Sequence, residues 1–169
     1  MPDATSLTYL DMHATPRVAD VDRAALRPEF ADLPEHLRRP QHVSTRDDLL
    51  DRLRSNDAVL LQSHGWPDHA YLDGAFVFTP DDIDEPVEGL QLLWLLSCGQ
   101  QKQRAAWQRK FPNALLVTSE HTVYPRTFTK VALAVVAEHH RTGALPTRAS
   151  LQSILDRYRN RQWDLDADG

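Results

Sequence analysis

Short apolar runs without polar alternation recur along the chain, and stretches with helical spacing separate them. Such runs indicate strands buried on both faces, as in a parallel sheet covered by helices, and they occur at residues 58–62, 90–96 and 114–118. Residues 7–12 are predicted as the first strand. Helices are predicted at residues 45–55, 100–110, 127–139 and 150–159. A β-hairpin with its turn at Asp73-Gly74 is predicted at residues 71–78, and a loop with one short helix at residues 18–36. The alternation predicts a three-layer α/β/α sandwich with a mostly parallel sheet.

Composition narrows the class of protein. A chain of 169 residues that is 41% hydrophobic predicts one domain over residues 1–163, followed by an acidic, disordered tail at 164–169. The net charge of -5 gives no broad attraction to phosphate backbones, so we do not expect nucleic acid as a partner. The sequence contains neither a signal-peptide pattern nor a long apolar stretch, so no membrane partner is expected. A single cysteine cannot form an internal disulfide, which favours the cytoplasm.

Two reactive side chains follow successive apolar runs. His64 lies in Ser63-His64-Gly65 and Cys98 in Ser97-Cys98-Gly99. Because loops at the carboxyl ends of parallel strands meet at one edge, we expect both side chains there. The predicted helix at Gln100 would stabilise a Cys98 thiolate through its free N-H groups, and His64 would move protons. The backbone N-H groups of Gly65 and Cys98 are the predicted oxyanion hole.

In this order, a strand ending in Ser-His-Gly, a hairpin and a hydrophobic strand ending in Ser-Cys-Gly resemble the caspase-like cysteine peptidases. That group includes caspases, metacaspases, gingipains, separase and the bacterial CHAT peptidases. The resemblance covers roughly residues 7–124, and residues 45–65 look most like CHAT or gingipain-type members. It implies that His64 is the general acid/base and that Cys98 is the nucleophile, which forms a thioester with a protein or peptide substrate and needs no cofactor.

The sequence also departs from the family. The 34 residues from His64 to Cys98 are fewer than the roughly 50 noted for caspases, and Ser-Cys-Gly-Gln is not the caspase pentapeptide. A true caspase is therefore not expected. The chain has no obvious room for a prodomain or a processed linker, so a regulatory partner protein is expected to supply recognition and control.

The resemblance also suggests where the substrate pocket lies. In this fold, the ends of the first strand and of the strands around the cysteine line the pocket; here these positions hold Asp11, His13, Ser119, Glu120 and His121. Asp11 or Glu120 in the pocket would favour a basic substrate residue. Arg126 in the pocket would favour an acidic substrate residue. If Asp11 and Glu120 are only solvated loop residues or caps, they would favour neither a basic nor an acidic substrate residue. Trp66 is predicted as an apolar wall of the cleft or as a core plug beneath the hairpin.

Two other functions remain open at this point. One is a catalytically inactive α/β interaction module, an adaptor in signalling or defence, in which Cys98 is buried and unreactive. The other is a flavodoxin-like ligand-binding or phosphatase-like domain, although no Gly-rich phosphate loop follows the first strand. His64, His69 and Cys98 are conceivable metal ligands, but no zinc spacing supports them, so no metal is expected.

Overall fold

A computed structural model describes residues 4–15, 18–119, 125–158 and 163–164. The strands within these ranges are β1 (Leu7–Asp11), β2 (Gln41–His42), β3 (Ala58–Gln62), β4 (His64–Trp66), β5 (His69–Asp73), β6 (Val77–Phe78), β7 (Leu92–Leu96), β8 (Leu115–Ser119) and β9 (Trp163–Asp164). The helices are α1 (Val18–Ala25), α2 (Arg46–Ser55), α3 (Arg104–Lys110), α4 (Pro125–Thr142) and α5 (Arg148–Arg157). Short 3-10 helices span Pro28–Phe30, Glu35–Leu37, Pro80–Asp82 and Gln100–Gln103.

The main sheet has the strand order β2-β1-β3-β7-β8-β9. All neighbouring pairs are parallel except β8 and β9, which are antiparallel. The three central strands β1, β3 and β7 pair along their whole length, so that Asp11 lies level with Gln62 and Gln62 with Leu96. A small antiparallel sheet of β4, β5 and β6 lies outside the main one. This mostly parallel sheet confirms the fold class predicted from the sequence.

Two apolar cores cover opposite faces of the main sheet. Successive side chains of a strand point to opposite faces of the sheet. Because both faces are covered, every residue of β3 and β7 is buried. One core joins Leu60 and Trp94 to α1, α4 and α5 through residues such as Ala24, Val131 and Leu151. The other joins Leu61 and Leu95 to α2 and α3 through Leu49, Leu53 and Trp107. Helices on both faces form the three layers of an α/β/α sandwich.

The structure differs from the sequence prediction where elements are short. The segment at residues 18–36, predicted as a loop with one short helix, contains that helix as α1. It also contains a 3-10 helix at Pro28–Phe30 and the start of another at Glu35–Leu37, which were not predicted, and the two-residue strand β2, which pairs with the end of β1, was missed. Asp164, predicted in the disordered tail, belongs to β9 and pairs with Thr118; residues 165–169 lie outside the described ranges. The two-residue strands β2 and β9 carry too little periodicity to be recognised, and their pairing partners are distant in sequence.

The small sheet corrects the interpretation of the segment around His64. The predicted hairpin is present as β5 and β6, joined through residues 74–76. Ser63-His64-Gly65 was interpreted as a simple break after β3, but His64 and Gly65 belong to β4, which pairs with β5. His64 lies opposite Asp73, and Gly65 lies opposite Leu72. The side chain of His64 is thus presented by a strand rather than by a free loop.

At the amino-terminal edge of the main sheet, the carboxylate of Asp57 joins β1 to β3. Its Oδ2 atom accepts hydrogen bonds from the Ser6 backbone N-H at 2.7 Å and from the Ser6 hydroxyl at 3.0 Å. The Asp57 carbonyl oxygen accepts from the Gln91 N-H at 2.7 Å, which adds the start of β7. The hydrogen bond from the Ser6 N-H has the largest effect on the pKa of Asp57 and lowers it. Burial acts in the opposite direction, and the hydrogen bond from the Ser6 hydroxyl lowers the pKa further.

The lowered pKa predicts how stability depends on pH. Because the folded protein favours ionised Asp57, the contribution of this carboxylate to the free energy of unfolding is complete above the unfolded-state pKa of about 4. The contribution is lost as the pH falls through the lower folded-state pKa. We expect Asp57→Asn to lower the free energy of unfolding at pH 7 by about 1 kcal/mol, and the difference from wild type to shrink at pH 3. Urea unfolding of wild type and Asp57→Asn at pH 3 and at pH 7 measures the difference in their free energies of unfolding.

Asp51→Asn, a change at an exposed carboxylate on α2, is the matched control and should have little effect at either pH. A difference between wild type and Asp57→Asn that is the same at pH 3 and pH 7 would contradict the role given to the ionised carboxylate.

Candidate active site

The strand register brings three titratable or nucleophilic side chains to the same level of the carboxyl edge. Asp11, Gln62 and Leu96 are aligned across β1, β3 and β7, so the residues two positions further on are His13, His64 and Cys98. Backbone hydrogen bonds continue the alignment past the strands, from Met12 N-H to the Gln62 carbonyl at 3.0 Å and from Ser63 N-H to the Leu96 carbonyl at 3.3 Å. His64 and Cys98 therefore follow neighbouring strands, as the sequence predicted.

His64 has a second histidine as its neighbour. Its ring meets the ring of His13 edge to face, with the centroids 4.5 Å apart and the planes at 88°. His13 is only 3% exposed, whereas His64 is exposed to solvent. The buried ring supports one side of the His64 imidazole and leaves the remainder accessible.

Asp11 holds His13 in place. The Oδ1 atom of Asp11 accepts hydrogen bonds from His13 Nδ1 at 2.6 Å and from the His13 backbone N-H at 2.9 Å. The Asp11 carboxylate is 2% exposed, and buried carboxylates are stabilised by such hydrogen bonds. Sequence reasoning placed Asp11 and His13 at this edge, but it did not identify their contact with each other or that of His13 with His64.

A buried tyrosine lies beneath this cluster. The Tyr9 hydroxyl donates a hydrogen bond to Gln62 Oε1, so that the ends of β1 and β3 are joined by side chains as well as by backbone. Burial, and secondly the negative charge of Asp11, raise the pKa of Tyr9 well above its usual value. Tyr9 is therefore a neutral hydrogen-bond donor at physiological pH.

Cys98 lies in a tight turn against the strand that carries His64. The thiol is partly exposed, in contrast to the buried Ser97 before it. Gly99 has a φ of 68° and packs against Pro67, so that a β-carbon at this position would lie 2.8 Å from the Pro67 nitrogen. Gly65 lies on the other side of the turn, where a β-carbon would lie 2.4 Å from the Cys98 carbonyl oxygen. Both glycines are required by the close approach of the two segments.

The proposed source of thiolate stabilisation needs correction. The sequence predicted a helix starting at Gln100, but Gln100–Gln103 is a 3-10 helix and the α-helix α3 begins at Arg104. A four-residue 3-10 helix followed by a seven-residue α-helix does not place the amino terminus of a long helix beside the thiol. The helix-terminus argument for a Cys98 thiolate is therefore not supported by the observed helices.

The predicted substrate-pocket residues fall in two places. Asp11 ends β1 and His13 follows it, and Ser119 ends β8, where it is fully buried. Since β3 and β7 separate β1 from β8, these ends are roughly 14 Å apart at the usual strand spacing. The structure therefore does not bring them together, and they flank His64 and Cys98 on opposite sides. Glu120 and His121 lie outside the described residues, as does the side chain of Arg126.

Trp66 ends β4 and is exposed, and the register with β5 shifts between Gly65 and Trp66. Its side chain is 49% exposed, which excludes the core plug and leaves the cleft wall as the prediction. Among the described residues, no cluster of three or more His, Cys, Asp or Glu side chains has the arrangement of a metal site. Across the same residues, no helix has both the length and the apolar character needed to span a bilayer.

Comparisons with known proteins do not assign the chain to a family. No protein-family model matches it, and no curated protein matches it. The caspase-like resemblance thus rests on the residues around His64 and Cys98 and on their order along the chain.

The packing of Gly65 predicts the effect of a single methyl group. We expect Gly65→Ala to lower the free energy of unfolding by about 1–3 kcal/mol, because its β-carbon would overlap the Cys98 carbonyl and force β4 outward. The same displacement should slow alkylation of Cys98 by iodoacetamide, which reports on one thiol because the chain has one cysteine. Urea unfolding and mass spectrometry measure the two effects.

Gly89→Ala is the matched control, because a β-carbon at Gly89 meets nothing within 4 Å. It should leave both stability and Cys98 alkylation close to wild type. Wild-type behaviour of Gly65→Ala in both measurements would contradict the close packing of β4 against the Cys98 turn.

Proposed function

We propose that the protein is a cysteine peptidase of caspase-like type, with His64 and Cys98 as its catalytic pair. The single observation that carries the proposal is the alignment of His64 and Cys98 at corresponding positions after the neighbouring parallel strands β3 and β7. Solvent reaches both residues, and Gly65 packs against the backbone of Cys98. A core cysteine would be buried, whereas Cys98 is partly exposed.

The reaction begins with attack of the Cys98 sulfur on the carbonyl carbon of a peptide bond. His64 takes the thiol proton and gives it to the departing amine, which leaves a thioester between Cys98 and the substrate acyl group. Water then attacks the thioester as His64 removes its proton, and the acid product and the thiol are released. The N-H groups of Gly65 and Cys98 are the proposed donors to the oxygen that becomes negative in each step.

Asp11 and His13 serve this reaction by supporting His64. The hydrogen bonds from His13 to Asp11 fix the buried ring, and the buried ring limits the orientations that His64 can adopt. A general base is effective only when its nitrogen faces the proton that it removes. Asp11 and His13 are thus positioning residues in this mechanism.

Charge around the pair favours a basic substrate. Asp73 lies opposite His64 in the small sheet, and Asp68 lies in the turn between β4 and β5. Negative charge beside a binding site raises the local concentration of a cationic substrate. We therefore expect arginine or lysine to be preferred over aspartate before the scissile bond.

Peptidyl acyloxymethyl ketones test the function directly. We expect probes with Arg or Lys before the warhead to label the wild-type protein, and Cys98→Ala to abolish labelling because the nucleophile is gone. His64→Ala should slow labelling by about 10²-fold or more, the usual contribution of a general acid/base. Labelling rates from intact-protein mass spectrometry, with Asp and Leu probes as a comparison, measure both the pair and the preference.

His69→Ala is the control for the loss of an exposed histidine from the same small sheet, where the His69 ring stacks on Tyr71. It should keep the wild-type labelling rate. Failure of every probe to label folded wild-type protein, alone and with candidate partner proteins, would overturn the peptidase proposal and favour an interaction module.

A further inference from the structure

Gln100 joins the turn that carries Cys98 to the small sheet that carries His64. Its side chain is fully buried, two residues after the cysteine. The Nε2 group lies within hydrogen-bond distance of three carbonyl oxygens of the small sheet and its turn, those of Trp66 at 3.2 Å, His69 at 3.4 Å and Tyr71 at 3.5 Å. One amide group thus satisfies backbone acceptors on both β4 and β5.

The orientation of this amide is fixed from the opposite side. Trp107 on α3 donates its indole N-H to Gln100 Oε1 at 2.8 Å. Since an indole nitrogen only donates and a carbonyl oxygen only accepts, the amide can satisfy both neighbours in one orientation alone. Trp107 is itself fully buried and stacks on Phe78 of β6, with the centroids 6.0 Å apart. The amide is therefore held by the core of the domain.

The small sheet is also attached to the end of β1. The Ala75 N-H donates to the Met12 carbonyl at 2.7 Å, and a β-carbon at Gly74 would lie 1.9 Å from the same oxygen. This contact fixes the β5–β6 end of the small sheet near Asp11 and His13. Gln100 fixes the opposite end, at the turn between β4 and β5, against the Cys98 segment. The two attachments together determine where β4 places His64.

We propose that Gln100 is a positioning residue that sets the distance between His64 and Cys98. This inference rests on the proposed catalytic pair and deepens it, because it identifies the contact through which the two halves of the pair are joined. Gly65 is consistent with this role, since a β-carbon there would lie 3.2 Å from Gln100 Nε2. Loss of the amide removes the hydrogen bonds from the Cys98 segment to β4 and β5, while the contacts of Gly65 and Pro67 with that segment remain, and it lets His64 move away from the thiol.

A double-mutant cycle on the reactivity of Cys98 tests the proposal. The four proteins are wild type, Gln100→Met, His64→Ala and the double variant, each treated with iodoacetamide at pH 7. Methionine has the length of glutamine but lacks the amide. We expect Gln100→Met to slow alkylation about tenfold when His64 is present, because small displacements of a reacting group are costly, and by less than twofold in the His64→Ala background.

Two further variants separate positioning from general damage. Gln103→Met is the matched control, because Gln103 Nε2 contacts the Pro67 carbonyl at 3.3 Å from the exposed side of the same 3-10 helix, and it should react like wild type. Gln100→Asn keeps the amide but withdraws it by one methylene group. It should show an intermediate rate, and it replaces Gln100→Met in the cycle if the methionine variant does not fold.

The outcomes separate this proposal from that of the peptidase. Equal slowing by Gln100→Met in both backgrounds, or no slowing at all, would overturn the positioning role. If peptidyl probes label wild type but label Gln100→Met equally fast, the peptidase proposal stands and the role of Gln100 is wrong. If no peptidyl probe labels wild type but the alkylation cycle shows the expected coupling, Gln100 positions the pair and the peptidase proposal is wrong.

Discussion

The parallel register of β1, β3 and β7 is the constraint on which the candidate site depends. Because Asp11, Gln62 and Leu96 are aligned, the chain leaves all three strands at one level, and His13, His64 and Cys98 each follow two residues later. A shift of one residue in any strand would turn its side chains to the opposite face. The close packing of these side chains into the two apolar cores opposes such a shift, since every residue of β3 and β7 is buried.

The small sheet completes the candidate site by placing the strand that carries His64 against the Cys98 turn. Its first strand begins at His64 immediately after β3, and it packs against the Cys98 turn so closely that Gly65 and Gly99 admit no side chain. The buried amide of Gln100 holds the two segments together, and the Asp11–His13 pair supports the His64 ring. The core thus determines the position of groups that are themselves accessible to solvent.

The sequence was sufficient for the main sheet but not for the contacts that complete the site. Uninterrupted apolar runs predicted β3 and β7, and they also predicted that His64 and Cys98 would share an edge. The three-residue strand β4 was missed because its pairing partner lies beyond a turn and its residues have no apolar pattern. Gln100 gave no signal either, since a glutamine that is buried by tertiary contacts looks the same in sequence as an exposed one. The contact between His13 and His64 depends on strand order, which local patterns do not determine.

The central claim is that His64 and Cys98 act on each other. NMR titration of the His64 ring protons in wild type and in Cys98→Ala tests this most directly, because interacting groups titrate as a pair. The account predicts that removal of the thiol changes the His64 titration curve and leaves that of His69, an exposed residue in the same small sheet, unchanged. Superimposable His64 curves in the two proteins would contradict it.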